Sequence, residues 1–112
     1  MSNIPFQTVD WDSIEKTEHI GTTGIAHWQT AQLDRLRIRK VTYSKDYLAD
    51  HWCQKGHIVH CIGGNFTSEL ESGEQVQLSQ GMTYIVSDDL SSHRSISTNG
   101  AELLIIDGDF LE

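Results

Sequence analysis

Three of the chain's six histidines and both of its cysteines fall between Asp50 and Gly64, in the run Asp-His-Trp-Cys-Gln-Lys-Gly-His-Ile-Val-His-Cys-Ile-Gly-Gly. Imidazole nitrogen and thiolate sulfur are the donors that a borderline-soft divalent ion takes. Side chains on a strand alternate faces, so His51 and Cys53 are expected to point the same way. Gln54-Lys55-Gly56 reads as a short turn, and Ile58-Val59 make His57 the start of a returning strand. Pairing across that turn would bring His57 back beside Cys53. His93, beyond a glycine-punctuated β segment, is a fourth candidate. The expected metal ligands are therefore His51, Cys53, His57 and His93.

Zinc is the first expectation for such a set, since tetrahedral nitrogen and sulfur sites are its habit. Iron(II), nickel, cobalt and copper also fit, whereas magnesium and calcium prefer oxygen. Four protein ligands would make a closed, structural site. If Cys53 stays off the metal, three histidines leave a position open for water or substrate. A Cys53 thiolate activated by His51 or His57 is a weaker reading of the same residues. No catalytic residue is assigned.

The other candidates read as ordinary structure. His60 has the opposite parity from His57, and Cys61 shares that parity and fits a packed interior. His19 and His27 fit a surface or interface. Cys53 at the turn and Cys61 four residues into the returning strand would stand roughly 13 Å apart, too far for a disulfide. No Ser-His-Asp spacing stands out, and Gly21-Thr22-Thr23-Gly24 lacks the lysine of a phosphate loop.

The elements that must position these residues are strands. Gly24–Thr30 reads as a strand and Ala31–Asp34 as a loop; Leu36–Tyr43 alternates apolar with basic, then slips phase near Lys40, where a bulge is expected. Phe66–Leu70, Gln75–Leu78, Met82–Val86 and Glu102–Asp107 follow, separated by Ser72-Gly73-Glu74, Gln80-Gly81 and Asn99-Gly100. The first 20 residues form an arm, with a short helix capped by Asp10 or Asp12. Eight or nine short strands with polar turns and no convincing helix predict a sandwich or barrel. One domain spans 1–112, with the arm over about 1–20 and the barrel over about 21–110.

Composition bounds the function. A length of 112 residues suffices for one core without disulfide staples, and 38% hydrophobic content suits a soluble domain. A formal charge of −8 opposes nucleic-acid binding. No apolar run approaches the roughly 18 residues of a membrane span, and no secretory signal is visible, so a cytoplasmic protein is expected. Arg37, Arg39 and Tyr43 could reach an acidic substrate, although ion pairing or edge-strand protection explains them as well.

The layout resembles the cupins, the small antiparallel jelly-roll barrels. His51-Trp52-Cys53 stands where their His-x-His lies; His57, seven residues before Gly64, stands where their glutamate lies; Gly81 leads the strand before His93, matching their lone histidine. Asp50-His51-Trp52-Cys53 with Lys55-Gly56-His57 resembles the small cupin group named for a DHCW-type motif. The resemblance covers about residues 33–108. Cysteine for the second histidine, histidine for the glutamate, and Ser87 and Asp89 where proline and glycine are usual set this chain apart.

Together these point to an all-β small cupin barrel with an N-terminal arm. It is expected to bind a divalent transition metal and to bind or act on a small polar molecule, as an oxygenase, isomerase or hydrolase if catalytic. The rival is a binding or sensing module with a closed metal site. Pairing as a homodimer through a sheet face and the arm is also expected.

Overall fold

Among the described residues the chain forms nine antiparallel strands, and in the longer ones buried side chains alternate with less buried ones. The computed structural model describes residues 3–111, so Met1, Ser2 and Glu112 of the expected domain lie outside it. The strands are β1 Thr17–Ile20, β2 Ile25–Leu33, β3 Leu36–Tyr43, β4 Tyr47–Leu48, β5 His57–Leu70, β6 Gln75–Ser79, β7 Thr83–Val86, β8 His93–Ser97 and β9 Ala101–Gly108. They form one sheet in the order β1-β2-β3-β9-β5-β8-β4, with β6 and β7 also paired to β5. A 3-10 turn covers Trp11–Ser13, where Asp10 is the N-cap and its side chain accepts from the Asp12 amide. The arm docks through its backbone: buried Gln29 donates Nε2 to the Trp11 and Ile14 carbonyls.

The long strand β5 organises the barrel. Its first half pairs with β7 and β9, its second half with β6 and β8. The register shifts between Cys61 and Gly63, and Gly64 follows at φ 68. A β-carbon at Gly64 would stand 2.5 Å from the Gly100 carbonyl oxygen, so only glycine lets β5 turn the corner there. Inside the curl, Val41, Leu103 and Cys61 face one another across three strands, with Val59, Ile105, Phe66 and Leu78 completing the core. On the outside, Ile85, Ile58, Ile106, Ile38 and Ala31 line up in register across five strands.

Several sequence expectations change. Ala31–Leu33 is strand, not loop: Leu33 pairs with Leu36, and Asp34 takes φ 56 in the tight turn between them. Gly63-Gly64 does not break the chain into two strands but bends one. There is no bulge at Lys40, because β3 keeps unbroken register with both β2 and β9. Its phase is instead the reverse of the simple reading: Arg37, Arg39, Val41 and Tyr43 point inward, and Leu36 and Ile38 point outward. Two inward arginines are tolerated because Asp107, 2% exposed on β9, lies between them. Its carboxylate accepts two bonds from Arg37, both 3.0 Å, and one from Arg39 at 2.9 Å.

Candidate metal centre

The segment carrying His51 and Cys53 is a loop, not the strand expected from alternation. Cys53 makes a single antiparallel bridge, and its partner is His93 on β8 rather than His57. The two amides and carbonyls exchange bonds of 2.7 and 3.1 Å. The loop is held by the β7–β8 connection: the Gly56 amide donates to Asp88 Oδ1, and the Asp89 amide to the Gln54 carbonyl at 2.9 Å. A β-carbon on Gly56 would lie 2.6 Å from the Asp88 nitrogen, which explains glycine at that close approach. Asp89 sits at φ 60, so it adopts the left-handed conformation for which glycine is the usual residue.

These contacts bring three of the four expected ligands together. One donor atom each from Cys53, His57 and His93 lies within 4.8 Å of the others. His57 and His93 are buried, and Cys53 is half-buried. The two imidazole Nε2 atoms are 2.8 Å apart, and the Tyr84 hydroxyl is 3.2 Å from that of His57. His51 stands outside the group, its Nδ1 2.7 Å from Asp50 Oδ1 and its side chain 78% exposed. His60 points outward to the Thr83 hydroxyl, and both cysteines are free thiols, Cys61 within the core. Tyr84 is the neighbour that sequence reasoning missed. Alternation puts it on one face with Val86, but only the pairing with β5 reveals that this face looks inward.

The electrostatics suit ligation. Burial, then the neighbouring His93 and Arg39, push the His57 imidazole down to about 4, so it is neutral with a free lone pair at pH 7. For His93 burial acts downward, but hydrogen bonds with Cys53 and the Ser91 carbonyl outweigh it and the net shift is upward. Burial likewise opposes ionisation of Cys53, while the His93 hydrogen bond, the backbone at Lys55 and the charges of His93 and Arg39 bring its thiol down. Both shifts arise from the contact between Cys53 and His93, and a metal ion would take the place of the proton they share, leaving a thiolate and a neutral imidazole as donors. His93 Nδ1 lies 2.8 Å from the Ser91 carbonyl, which must accept, so Nε2 is the nitrogen presented to the site.

The geometry fits an ion with small adjustment. Two nitrogens bonded to one tetrahedral zinc at about 2.0–2.1 Å stand about 3.3 Å apart, so the two rings would separate by about half an ångström. An N, N, S donor set matches zinc and its late first-row neighbours. Beside the donors lies a cavity of about 130 Å³ whose walls include Trp28, Arg39, Tyr43, Tyr84 and Leu103.

No protein-family model matches the sequence, and no curated protein does. Solved structures do match. A putative ethanolamine utilization protein from Salmonella typhimurium superposes with a TM-score of 0.75 at 11% identity, over 96% of this chain and 92% of its own. Ectoine synthase from P. lautus gives 0.74 at 14% identity, over 92% and 78%. A sugar phosphate isomerase from a cupin superfamily, from Silicibacter pomeroyi, gives 0.71 at 12% identity, over 89% and 74%. At such identities it is the architecture that is shared, and among the described residues no helix is long and apolar enough to cross a membrane. The chain has the fold of the small cupins.

Proposed function

We propose that the protein binds one divalent transition metal through Cys53, His57 and His93 and uses it on a small molecule held in the adjoining cavity. The observation that carries this reading is the convergence of three soft or borderline donors within 4.8 Å at the wall of a cavity. Zinc is the first choice, with iron and nickel next. Bound there, the metal would supply Lewis acidity toward an oxygen of the ligand. Around it, His93 is oriented by Ser91, His57 stays neutral through burial, and the Tyr84 hydroxyl, which burial keeps protonated, stands beside His57 Nε2 as a hydrogen-bond donor. Three protein ligands leave a position for the small molecule, which favours a working site over the closed, purely structural one. The likeness to enzymes of unlike name, a synthase and an isomerase, does not select a reaction.

The test is the metal content of protein purified without chelator, for wild type, Cys53→Ala, His93→Ala and His51→Ala. Near-stoichiometric metal in the wild type and in His51→Ala, with loss in the other two, is expected. No metal in the wild type after zinc or iron is offered refutes the reading.

A further inference from the structure

The cavity beside the metal ligands carries a charge that the ligands do not explain. Arg39 is only 6% exposed and lines that cavity. Its one carboxylate partner is Asp107, which it shares with Arg37. Two guanidiniums and one carboxylate leave one positive charge uncompensated, and no second acid pairs with either arginine among the described residues. Arg39 Nε is buried without a hydrogen-bond partner. A buried donor of this kind calls for an acceptor, and a buried cation calls for an anion.

The rest of the wall is consistent with that demand. Neither aspartate nor glutamate lines the cavity, in a chain whose formal charge is −8. Arg94, also on the wall, is already neutralised by Glu69 at 2.7 Å and lies over the Trp52 ring, so it adds little net charge. Trp28 is taken up by stacking with Arg39, whose Cζ is 4.5 Å from the ring centroid, and with His19 at 3.6 Å, so it fixes the guanidinium in place, and the aromatic surface of the wall comes from Tyr43 and Tyr84. Leu103 and Ile105 supply an apolar base. A cavity of about 130 Å³ is roughly ten times what one water requires, so its occupant has on the order of ten non-hydrogen atoms.

We propose that this cavity binds a small organic carboxylate, with Arg39 as the group that holds its charge. The single uncompensated charge of Arg39 matches a monoanion; a divalent ion held by one thiolate would add positive charge beside it, so phosphate is the rival anion that the test includes. The planar guanidinium presents its N–H groups in the geometry that carboxylate oxygens accept, and the aromatic and aliphatic walls take the organic body. The proposal names the substrate class for the metal site described above and rests on that reading for the neighbouring metal. The anion site itself stands on Arg39 alone.

Isothermal titration with benzoate and with propionate, on zinc-loaded and metal-stripped protein, tests it. Benzyl alcohol serves as the uncharged control and inorganic phosphate as the rival anion. Saturable carboxylate binding that benzyl alcohol and phosphate do not reproduce is expected. Arg39→Met should weaken it about ten- to hundredfold. Arg37 and Asp107 remain a balanced pair in that variant, so the fold is expected to hold; should it not, Arg39→Lys, which keeps the charge and loses the fork, is expected to bind the carboxylate several-fold more weakly than wild type. No carboxylate binding in either form of the wild type, binding by Arg39→Met as tight as wild type, or preference for phosphate overturns the proposal. Zinc titration of the same samples separates the two ideas. Carboxylate binding without zinc uptake would strike only the metal reading, and zinc uptake without carboxylate binding would strike only this one.

Discussion

Asp107→Ala is the perturbation that most directly tests the electrostatic account of the barrel interior. The carboxylate is 2% exposed and accepts three charge-assisted bonds of 2.9–3.0 Å from two arginines. Its removal leaves Arg39, itself buried, beside Arg37 with no counter-charge. Breaking a buried ion pair from one side costs about 3–5 kcal/mol, because a desolvated charge is left behind. Total stability for a domain of this size is on the order of 5–15 kcal/mol, so about a fifth or more of it should disappear. With a urea slope of about 2 kcal/mol/M, the unfolding midpoint should fall by about 2 M. Arg39→Met leaves Arg37 and Asp107 balanced and should lose less, about 1–2 kcal/mol. The double variant Asp107→Leu with Arg39→Met should recover part of the loss seen in Asp107→Ala. An Asp107→Ala midpoint within about 0.5 M of wild type would refute the reasoning, since it would mean that the triad is hydrated in solution. The pH dependence has a definite sign. Burial alone would raise the Asp107 carboxyl, but the Arg37 and Arg39 bonds and charges hold it below its ordinary value. A group with a lowered folded pKa stabilises above its unfolded value of about 3.9, and that contribution is lost as pH falls through the folded value. The wild-type midpoint should therefore drop below about pH 4, and Asp107→Ala should lack that part of the acid limb.

Cys53→Ala should weaken zinc affinity by more than about a hundredfold, beyond the roughly 10–100-fold typical of supporting residues, whereas His51→Ala should leave it unchanged; a competition assay with a chromophoric chelator reads both, and the reverse order would displace Cys53 from the ligand set. Gly64→Ala forces a φ of 68 on a residue with a β-carbon and drives that carbon against the Gly100 carbonyl, so its stability should fall by more than about 1–2 kcal/mol in urea titration, and a neutral result would show that the β5 corner relaxes freely. The outward isoleucine row, whose Ile85 is 65% exposed, is the surface we propose for pairing with a second copy. Light scattering should find a dimer for wild type and a monomer for Ile85→Lys, and a wild-type monomer at micromolar concentration removes the idea.

The class of fold and the neighbourhood of the site were legible in the sequence for different reasons. Alternation and turn residues were enough to place most strands, and the run of His51, Cys53 and His57 with the lone His93 beyond it was enough to suggest a common site, of which Cys53, His57 and His93 come together. The errors came where pairing partners decide the outcome. Apolar-basic alternation in Leu36–Arg39 carries no label for inside and outside, and the label came from Asp107, nearly 70 residues away on β9. The loop at Asp50–Gly56 alternates like a strand, yet Cys53 bridges to His93, a partner invisible to local periodicity. The departure at Asp89 was read as a missing glycine, but an aspartate can hold the left-handed turn itself, and it does so at φ 60. His51, the nearest histidine to Cys53 in sequence, lies on the cavity wall but pairs with Asp50 and stays out of the donor group, because an irregular loop is not bound to strand parity.

The way β5 is shared between the two halves of the sheet has a kinetic consequence. His57 begins the half that runs with β7 and β9, while His93 begins β8, which runs with the other half, and the two lie 36 residues apart. An ion gripping both would act as a clasp across the barrel's open end, tying together edges that otherwise separate by local fraying. Such a clasp leaves the folded contacts as they are and suppresses the brief openings through which solvent and proteases enter. Amide exchange along β7 and the start of β8 should then slow on loading while the β2–β3 hairpin keeps its rate. The ion proposed for the site would thus also time how often the barrel opens.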